Sequence, residues 1–159
     1  EYRRQRQMCI RDRTGAPLHR ITQGPWYVRE VIHVDEPGEK IYFSANGVNP
    51  DVDPYLIGYY SINFDGSDMK ELTPGKGTHR AVFSPDMKYI ADTYSSIDTP
   101  PVTEIRDAAS GDLIMEVERA DASRLMANGW TAPEVFTAPG RDNLTPMWGL
   151  IYRLSLIHI

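Results

Sequence analysis

The chain has 159 residues, of which 25% are charged and 41% are hydrophobic, and its formal net charge at pH 7 is −5. This composition is sufficient for a packed core, and an acidic chain with no basic patch containing aromatic residues argues against a nucleic-acid partner. The sequence contains no apolar run of about eighteen residues, so it does not predict a membrane span. The single cysteine, Cys9, excludes disulfides and thiolate metal sites within the chain.

The two ends of the chain differ in character from the rest. Residues 1–13, EYRRQRQMCIRDR, contain five arginines and Cys9, and residues 154–159, LSLIHI, form an uncharged run. Both are typical of translated sequencing-adapter sequence, so we predict that they are non-native segments and set them aside. The alternative for residues 1–13 is a basic arm that contacts nucleic acid or a membrane. Without the two ends, the remainder is more acidic, with twelve basic and twenty acidic side chains.

A repeat of about fifty residues organises the chain between its ends. ITQG at residues 21–24 recurs as LTPG at residues 72–75, which predicts that the chain enters through the last strand of a preceding blade. Apolar and β-branched runs separated by turn signals predict two blades of four strands each. The predicted strands are 28–34, 40–45, 55–64 and 69–73 in the first blade, and 82–84, 89–94, 102–106 and 113–117 in the second. The sequence therefore predicts an all-β fold, a partial β-propeller.

The turn SPDMK at residues 84–88 begins the hairpin of the second blade. Pro85 fixes its own φ, and Asp86 can accept hydrogen bonds from nearby backbone amides. Met87 occupies the position where such a turn usually has glycine, and a positive φ at a methionine costs about 1 kcal/mol. We therefore expect strain at Met87.

Two polar segments resemble ligand loops, and neither completes the pattern. Asn49, Asp51 and Asp53 have the alternate spacing of a calcium loop, but Pro54 and Tyr60 stand where an EF-hand has glycine and glutamate. GKGT at residues 75–78 lacks the first glycine of a phosphate loop and leads into a strand instead of a helix. We predict a solvated loop and an inter-blade connection, and therefore no metal and no cofactor.

No catalytic arrangement is found among the histidines and serines. His19, His33 and His79 have no carboxylate or second histidine at ligand spacing, so we expect structural histidines. Ser67 and Ser84 lie in predicted hairpin turns, and no serine has the flanking glycines of a GxSxG elbow. We predict no catalytic, cofactor-binding or metal-binding residue in this chain.

The periodicity changes after the second blade. Residues 121–128, DASRLMAN, predict a short linker helix with Asp121 as its N-cap and Gly129 as its stop. Residues 134–138 and 146–153 then flank the turn at 140–143 and predict a hairpin that does not repeat the blade. Asn143 heads a formal glycosylation acceptor, which the turn explains adequately.

Three of these segments together resemble the bacterial dipeptidyl peptidase IV branch of the prolyl oligopeptidase family. They are ITQG at residues 21–24, HRAVFSPDMKYIADTYSSIDTPPVTEIRD at residues 79–107, and the closing hairpin TAPGRDNLTPMWGLIYR. The resemblance covers residues 15–153. It implies propeller blades at 14–120, a linker with a short helix at 121–133, and the start of an α/β-hydrolase domain at 134–153.

The resemblance also implies a function for the parent protein. Members of this family are serine peptidases that release dipeptides from peptide N-termini, with proline or alanine in second position. The family's catalytic serine, aspartate and histidine have no counterpart in this sequence, and Glu30, Glu36 and Glu39 do not match the setting of its paired glutamates. The resemblance thus implies an inactive segment whose blades wall the substrate cavity, a peptide substrate and possible homodimerisation for the parent, and a periplasmic or extracellular location.

Two other readings account for the same strands. A non-enzymatic propeller of the TolB kind would serve as a binding scaffold, but it would close with a further blade or strand where this chain has a linker and a hairpin. A free-standing small β domain would leave the edges of both blades exposed. Since a blade cannot bury both of its faces alone, two blades predict a slice of a larger protein.

Overall fold

The computed structural model describes residues 8–11 and 13–153, which are almost entirely antiparallel β-structure. Twelve strands and one helix follow one another along these residues. They are β1 (Cys9–Arg11), β2 (Pro17–Arg20), β3 (Tyr27–Asp35), β4 (Lys40–Asn46), β5 (Ile57–Asn63), β6 (Lys70–Glu71), β7 (Thr78–Phe83), β8 (Tyr89–Ser95), β9 (Val102–Asp107), β10 (Leu113–Arg119), α1 (Ser123–Ala127), β11 (Glu134–Pro139) and β12 (Pro146–Ile151).

Eight of these strands form the two predicted blades. β3 to β6 make one four-stranded sheet and β7 to β10 make another, and in each sheet the strands are neighbours in sequence order. All pairs are antiparallel, as expected for strands joined by short hairpins. The predicted fold class, an all-β partial propeller, is confirmed.

Residues that the sequence analysis set aside take part in the entry to the fold. β1 pairs with β2, and the backbone amide of Ile21 donates a hydrogen bond to the carbonyl oxygen of Met8 at 2.9 Å. A hairpin therefore precedes the first blade, where a single strand was expected. Whether residues 1–13 are native sequence stays a prediction, and the predicted artefact at 154–159 lies outside the described residues.

The two faces of the first blade are both covered. On one face, Phe43 stacks on Trp26 with ring centroids 6.0 Å apart, and Ile21 completes a core with the neighbouring strands. On the other face, Tyr42 and Leu72 pack against Ile90 and Ala108 of the second blade. The chain is thus a stack of β1–β2, the first blade and the second blade, and its cores lie between the layers.

The repeated ITQG and LTPG segments form equivalent joints in this stack. Thr22 and Thr73 are buried, and each accepts a backbone hydrogen bond through Oγ1, from Met8 N at 2.8 Å and from Tyr59 N at 3.0 Å. Gly24 and Gly75 share an unusual φ of 138° and 139°. The sequence repeat therefore reflects one local structure used twice.

A glycine of the following blade packs closely against the backbone at each of these two segments. Gly66, with φ 86°, approaches Ile21 so closely that a Cβ would lie 2.7 Å from the Ile21 carbonyl oxygen. Gly111, with φ 80°, makes the same approach to Glu71, where the corresponding distance is 2.8 Å. Only glycine has both the backbone freedom and the space for this contact.

The helix and the last hairpin follow the second blade. α1 lies within the predicted 121–128, but its N-cap is Ala122, without a side-chain bond, so Asp121 as N-cap was wrong. Asp121 instead accepts a hydrogen bond from Ser123 N at 2.8 Å, one residue too early to cap the helix. β11 and β12 form the predicted separate hairpin. Within the described residues no helix is long and apolar enough to span a bilayer.

Candidate functional site

The candidate functional site is a cleft of about 610 Å³ that we term the junction cleft. It lies where loops from both blades meet the β11–β12 hairpin. Its lining comprises Asp51, Val52, Asp53, Leu56, Lys76, Thr78, Ser95, Ser96, Ile97, Asp98, Val135, Trp148 and Leu150. The lining thus comes from three parts of the chain that are distant in sequence.

The acidic side of the junction cleft consists of loops that are stabilised by hydrogen bonds from their own backbone amides to their own side chains. Asp53 accepts a hydrogen bond from Tyr55 N at 2.9 Å, and Asn49 accepts one from Asp51 N at 3.0 Å. Such bonds favour a turn over an extended strand, because the side chain occupies an amide that a neighbouring strand would otherwise use. The residues that resembled a calcium loop therefore build the wall of the cleft.

Asp98 also lines the junction cleft and lies in the turn that follows β8. Its carboxylate accepts a hydrogen bond from the Ser96 hydroxyl at 2.5 Å and another from Thr99 at 3.2 Å. These bonds, the Ser96 bond first, lower the pKa of Asp98, and the positive charge of Lys76 adds a smaller contribution in the same direction. Asp98 is therefore charged at neutral pH and gives the cleft a stable negative group.

The apolar side of the junction cleft comes from the hairpin. Trp148 pairs with Thr137 across the two strands, and Val135 pairs with Leu150. Val135 and Leu150 are cross-strand partners and Trp148 lies two residues before Leu150, so the three side chains share one face of the hairpin and line the cleft from it. A ligand with an apolar body and a cationic group would match both walls of the cleft.

A second polar arrangement lies buried between the blades. We term it the ionic cluster and define it as His79, Asp92, Glu104 and Arg106, all of which are at most 7% exposed. His79 Nδ1 lies 2.8 Å from Asp92 Oδ2, and Arg106 Nε lies 3.8 Å from the same oxygen. Arg106 also forms an ion pair with Glu104 and donates a hydrogen bond to the carbonyl oxygen of Gly111 at 2.9 Å.

Tyr94 closes the ionic cluster on one side. Its ring stacks on His79 with centroids 4.9 Å apart, and its hydroxyl donates a hydrogen bond to Glu104 at 3.3 Å. Burial, and then the negative charge of Glu104, raise the pKa of the Tyr94 hydroxyl, so it remains a neutral donor. Within the part of the chain that the structure describes, four buried polar atoms at this interface have no hydrogen-bond partner: Ser61 Oγ, His79 Nε2, Asp92 Oδ1 and Arg106 Nε.

The ionic cluster corrects one expectation of the sequence analysis. No carboxylate was expected near His79, but Asp92 lies within hydrogen-bonding distance. The β7–β8 register pairs His79 with Tyr94, so the residue two before Tyr94 on the same face, Asp92, lies beside the ring. Counting back from the SPDMK turn would have revealed this contact.

The other residues considered as candidates have local roles. His19 Nε2 lies 2.7 Å from the carbonyl oxygen of Phe64, and His33 is exposed beside Tyr42. Ser67 and Ser84 bond to the carboxylates of Asp65 and Asp86 within their own turns. Among residues 8–11 and 13–153, no three His, Cys, Asp or Glu side chains are grouped as metal ligands.

The sequence and structure of the chain are similar to those of known proteins. The family model of the dipeptidyl peptidase IV (DPP IV) N-terminal region matches residues 4–101, more than half of the chain. The structure is similar to that of dipeptidyl peptidase 4 from Porphyromonas gingivalis, with a TM-score of 0.71 and 23% identity over 91% of this chain. It is also similar to a candidate dipeptidyl aminopeptidase IV from Bacteroides ovatus, with a TM-score of 0.63 and 18% identity over 91% of this chain. The chain covers 20% of the length of each.

Proposed function

Because the chain belongs to the dipeptidyl peptidase IV N-terminal region family, we propose that it supplies propeller blades to a serine-type dipeptidyl peptidase. The peptidase would release N-terminal dipeptides with proline or alanine in second position. In this proposal the blades wall the substrate cavity, and residues elsewhere in the peptidase carry out the chemistry. The segment by itself is then expected to be inactive.

The junction cleft is the observation that supports this proposal. One wall is made of blade loops and the other of the β11–β12 hairpin, so the cleft lies at a boundary between two kinds of structure. Clefts at domain boundaries are common sites for ligands. We assign residues 14–120 to the propeller, 121–133 to a linker, and 134–153 to the beginning of an α/β-hydrolase domain.

The role of the blades in this proposal is selection by size. A wall that narrows the approach to the catalytic groups admits flexible peptide ends and excludes folded chains. Asp98 and its acidic neighbours would attract the ammonium group of a peptide N-terminus, and Trp148 would contact an apolar side chain. Neither effect lowers the barrier of the chemical step, so the blades contribute to binding and access.

The experiment that tests this function compares the isolated chain with the complete peptidase that contains it. The isolated chain should release no p-nitroaniline from Ala-Pro-p-nitroanilide, whereas the complete peptidase should release it. In the complete peptidase, Trp148→Ala should raise KM about tenfold, equivalent to about 1.4 kcal/mol, with kcat nearly unchanged. Leu144→Ala is the matched control, because Leu144 lies on the same hairpin, is 86% exposed and does not line the cleft.

Two outcomes would contradict the proposal. If the complete peptidase cleaved large folded proteins as fast as short peptides, the blades would not restrict access. If Trp148→Ala and Leu144→Ala gave the same KM as the unmodified peptidase, the junction cleft would not belong to the substrate path.

A further inference from the structure

The two blades present faces of opposite character at the same register positions. In each blade the first two strands are joined by loops of equal length, which align Val34–Ile41 of the first blade with Phe83–Ile90 of the second. From this alignment, each residue that faces the preceding layer in one blade has a counterpart in the other. The comparison uses cross-strand pairs and therefore does not depend on sequence similarity.

In the first blade, these positions are apolar. Ile41 pairs with Ile62, Phe43 pairs with Tyr60, and Ala45 pairs with Val28 on one side and Gly58 on the other. Their side chains form the core against Trp26 and Ile21. A face of this kind packs against any apolar surface of suitable shape, so it specifies its neighbour weakly.

In the second blade, four of the corresponding positions carry the ionic cluster. Ile90 pairs with Arg106, Asp92 pairs with Glu104, and Tyr94 pairs with His79. Arg106 thus takes the place of Ile62, Asp92 that of Phe43, Glu104 that of Tyr60 and His79 that of Val28. Ile90 retains the apolar character of its counterpart, Ile41, and the buried Val102, which pairs with Tyr94, takes the place of Gly58.

The surface of the first blade that covers the ionic cluster is also more polar than its opposite face. Tyr42 and Ser44 alternate with the apolar residues of β4, and Tyr59 and Ser61 are their partners on β5. Ser44 and Ser61 are buried there, and Ser61 Oγ has no partner within the described residues. Ser44 and Ser61 therefore place small hydroxyl groups on the face of the first blade that packs, through Tyr42, against Ile90 of the second blade.

We propose that the ionic cluster makes the second blade specific for the serine-bearing face of the first blade. A buried ion pair adds little net stability, because desolvation of the charges offsets their attraction. The same cluster disfavours an apolar neighbour, since His79 Nε2, Asp92 Oδ1 and Arg106 Nε have no hydrogen-bond partner among the described residues of their own blade, and an apolar surface would offer them none. The cluster therefore fixes which blade packs on which, and in which register.

The test separates the stability of the chain from the uniqueness of the packing between its two blades. It uses two variants of the chain. In the first, His79→Leu, Asp92→Leu, Glu104→Met and Arg106→Met replace the whole cluster by apolar side chains of similar size. Its urea midpoint should be at least as high as that of the wild type. In the second, Asp92→Leu alone leaves Arg106 and His79 without this carboxylate, and its midpoint should fall by about 1–2 M.

Uniqueness is measured by NMR on selectively methyl-labelled chains. Leu72 and Ile90 lie in the interface on opposite blades, so their methyl signals report its packing. The wild type should give one set of signals for both residues, and the fully apolar variant should give two or more sets. Assignment uses Leu72→Val and Ile90→Val, which remove the methyl signals of Leu72 and of Ile90, respectively.

Three results would overturn the proposal. One set of interface signals in the fully apolar variant would show that specificity does not need the charges. More than one set in the wild type would show that the charges do not confer it. An unchanged or raised midpoint for Asp92→Leu would show that the four side chains do not act as a network.

Discussion

At the scale of single residues, the turns of this chain store strain where a side chain takes a left-handed conformation. Glu39 has φ 49°, Asp68 50°, Met87 55° and Asn143 54°. Met87 therefore has the positive φ on which the expected strain depends. Met87 also packs against the core between the blades, which explains how a bulky residue is tolerated there.

Glu39 allows the strain to be measured without loss of packing. It is exposed in the turn between β3 and β4. Glu39→Gly should stabilise the chain by about 0.5 kcal/mol, because relief of the left-handed strain exceeds the greater entropy of glycine in the unfolded state. Urea unfolding checks this value, and Glu36→Gly in the same turn, where φ is not positive, should show no gain. Equal effects of the two substitutions would contradict the strain.

Asp142 shows how a single carboxylate organises a turn. It accepts hydrogen bonds from the Thr145 hydroxyl at 2.6 Å and from the backbone amides of Thr145 and Leu144 at 2.9 and 3.0 Å. These bonds, the Thr145 hydroxyl first, lower its pKa to about 2 from the ordinary 3.8. Since all three favour the charged carboxylate, protonation should break the turn.

The pH dependence of the β11–β12 turn follows from this shift. The folded pKa lies below the unfolded value, so the contribution of Asp142 is complete above pH 3.8 and is lost as pH falls through about 2. The Thr145 amide signal in NMR should therefore titrate with a midpoint near pH 2, and Asp142→Ala should abolish that titration. A midpoint at or above the ordinary value would contradict this assignment.

At the scale of elements, the contacts between Gly66 and Ile21 and between Gly111 and Glu71 hold successive layers together. Gly66→Ala and Gly111→Ala should each cost about 1–3 kcal/mol beyond the cost of a positive φ, because the new Cβ meets a backbone carbonyl that cannot move aside. Gly129→Ala is the matched control, since Gly129 has φ 83° but nothing within 4 Å of the new Cβ. Comparable losses of unfolding free energy in all three variants would show that the close approach does not matter.

The elements also show what the sequence could predict. Strands β3 to β10 were located because glycine, proline and aspartate turns separate runs of β-formers, and such signals are local. β1 was missed because residues 1–13 were set aside on composition. Asp121 was misplaced by one residue as an N-cap, because a polar side chain suggested the cap at 121, whereas the backbone begins the helix after Ala122, which has no capping side chain.

The candidate site was less accessible from sequence than the fold. The junction cleft joins Asp53, Asp98 and Trp148, which are distant in the chain, so no local pattern indicates it. The ionic cluster depends on hairpin register, which the turn at residues 84–88 determines and which could have been counted. Contacts within one hairpin are therefore predictable in principle, whereas contacts between separate hairpins are not.

At the scale of the whole molecule, the outer side of the second blade exposes apolar surface. Val82 is 63% exposed, Tyr89 50%, and β10 carries Ile114 and Val117 at 50% and 53%. An uncovered sheet face beside an open edge strand promotes association with other chains. The isolated chain should therefore self-associate as its concentration rises.

A charge on the edge strand should reduce this association. Ile114→Lys places a cation on β10 and removes an exposed apolar side chain, so the average mass measured by light scattering should move towards that of the monomer. Glu118→Lys changes the charge on the same strand by two units without removing apolar surface. A wild-type chain that stays monomeric at high concentration, or an equal response to both substitutions, would contradict the role of the apolar face.

The paired threonine and glycine contacts between layers imply that a blade contains both halves of a connector. Gly66 of the first blade rests on the segment before it, and Leu72–Thr73 of the same blade receives Gly111 of the next. Tandem copies of residues 25–75 would consequently match at their connectors, because each copy accepts the glycine of its successor. A longer array of blades built in this way would also need the ionic cluster on each added copy to match the serine-bearing face of its predecessor.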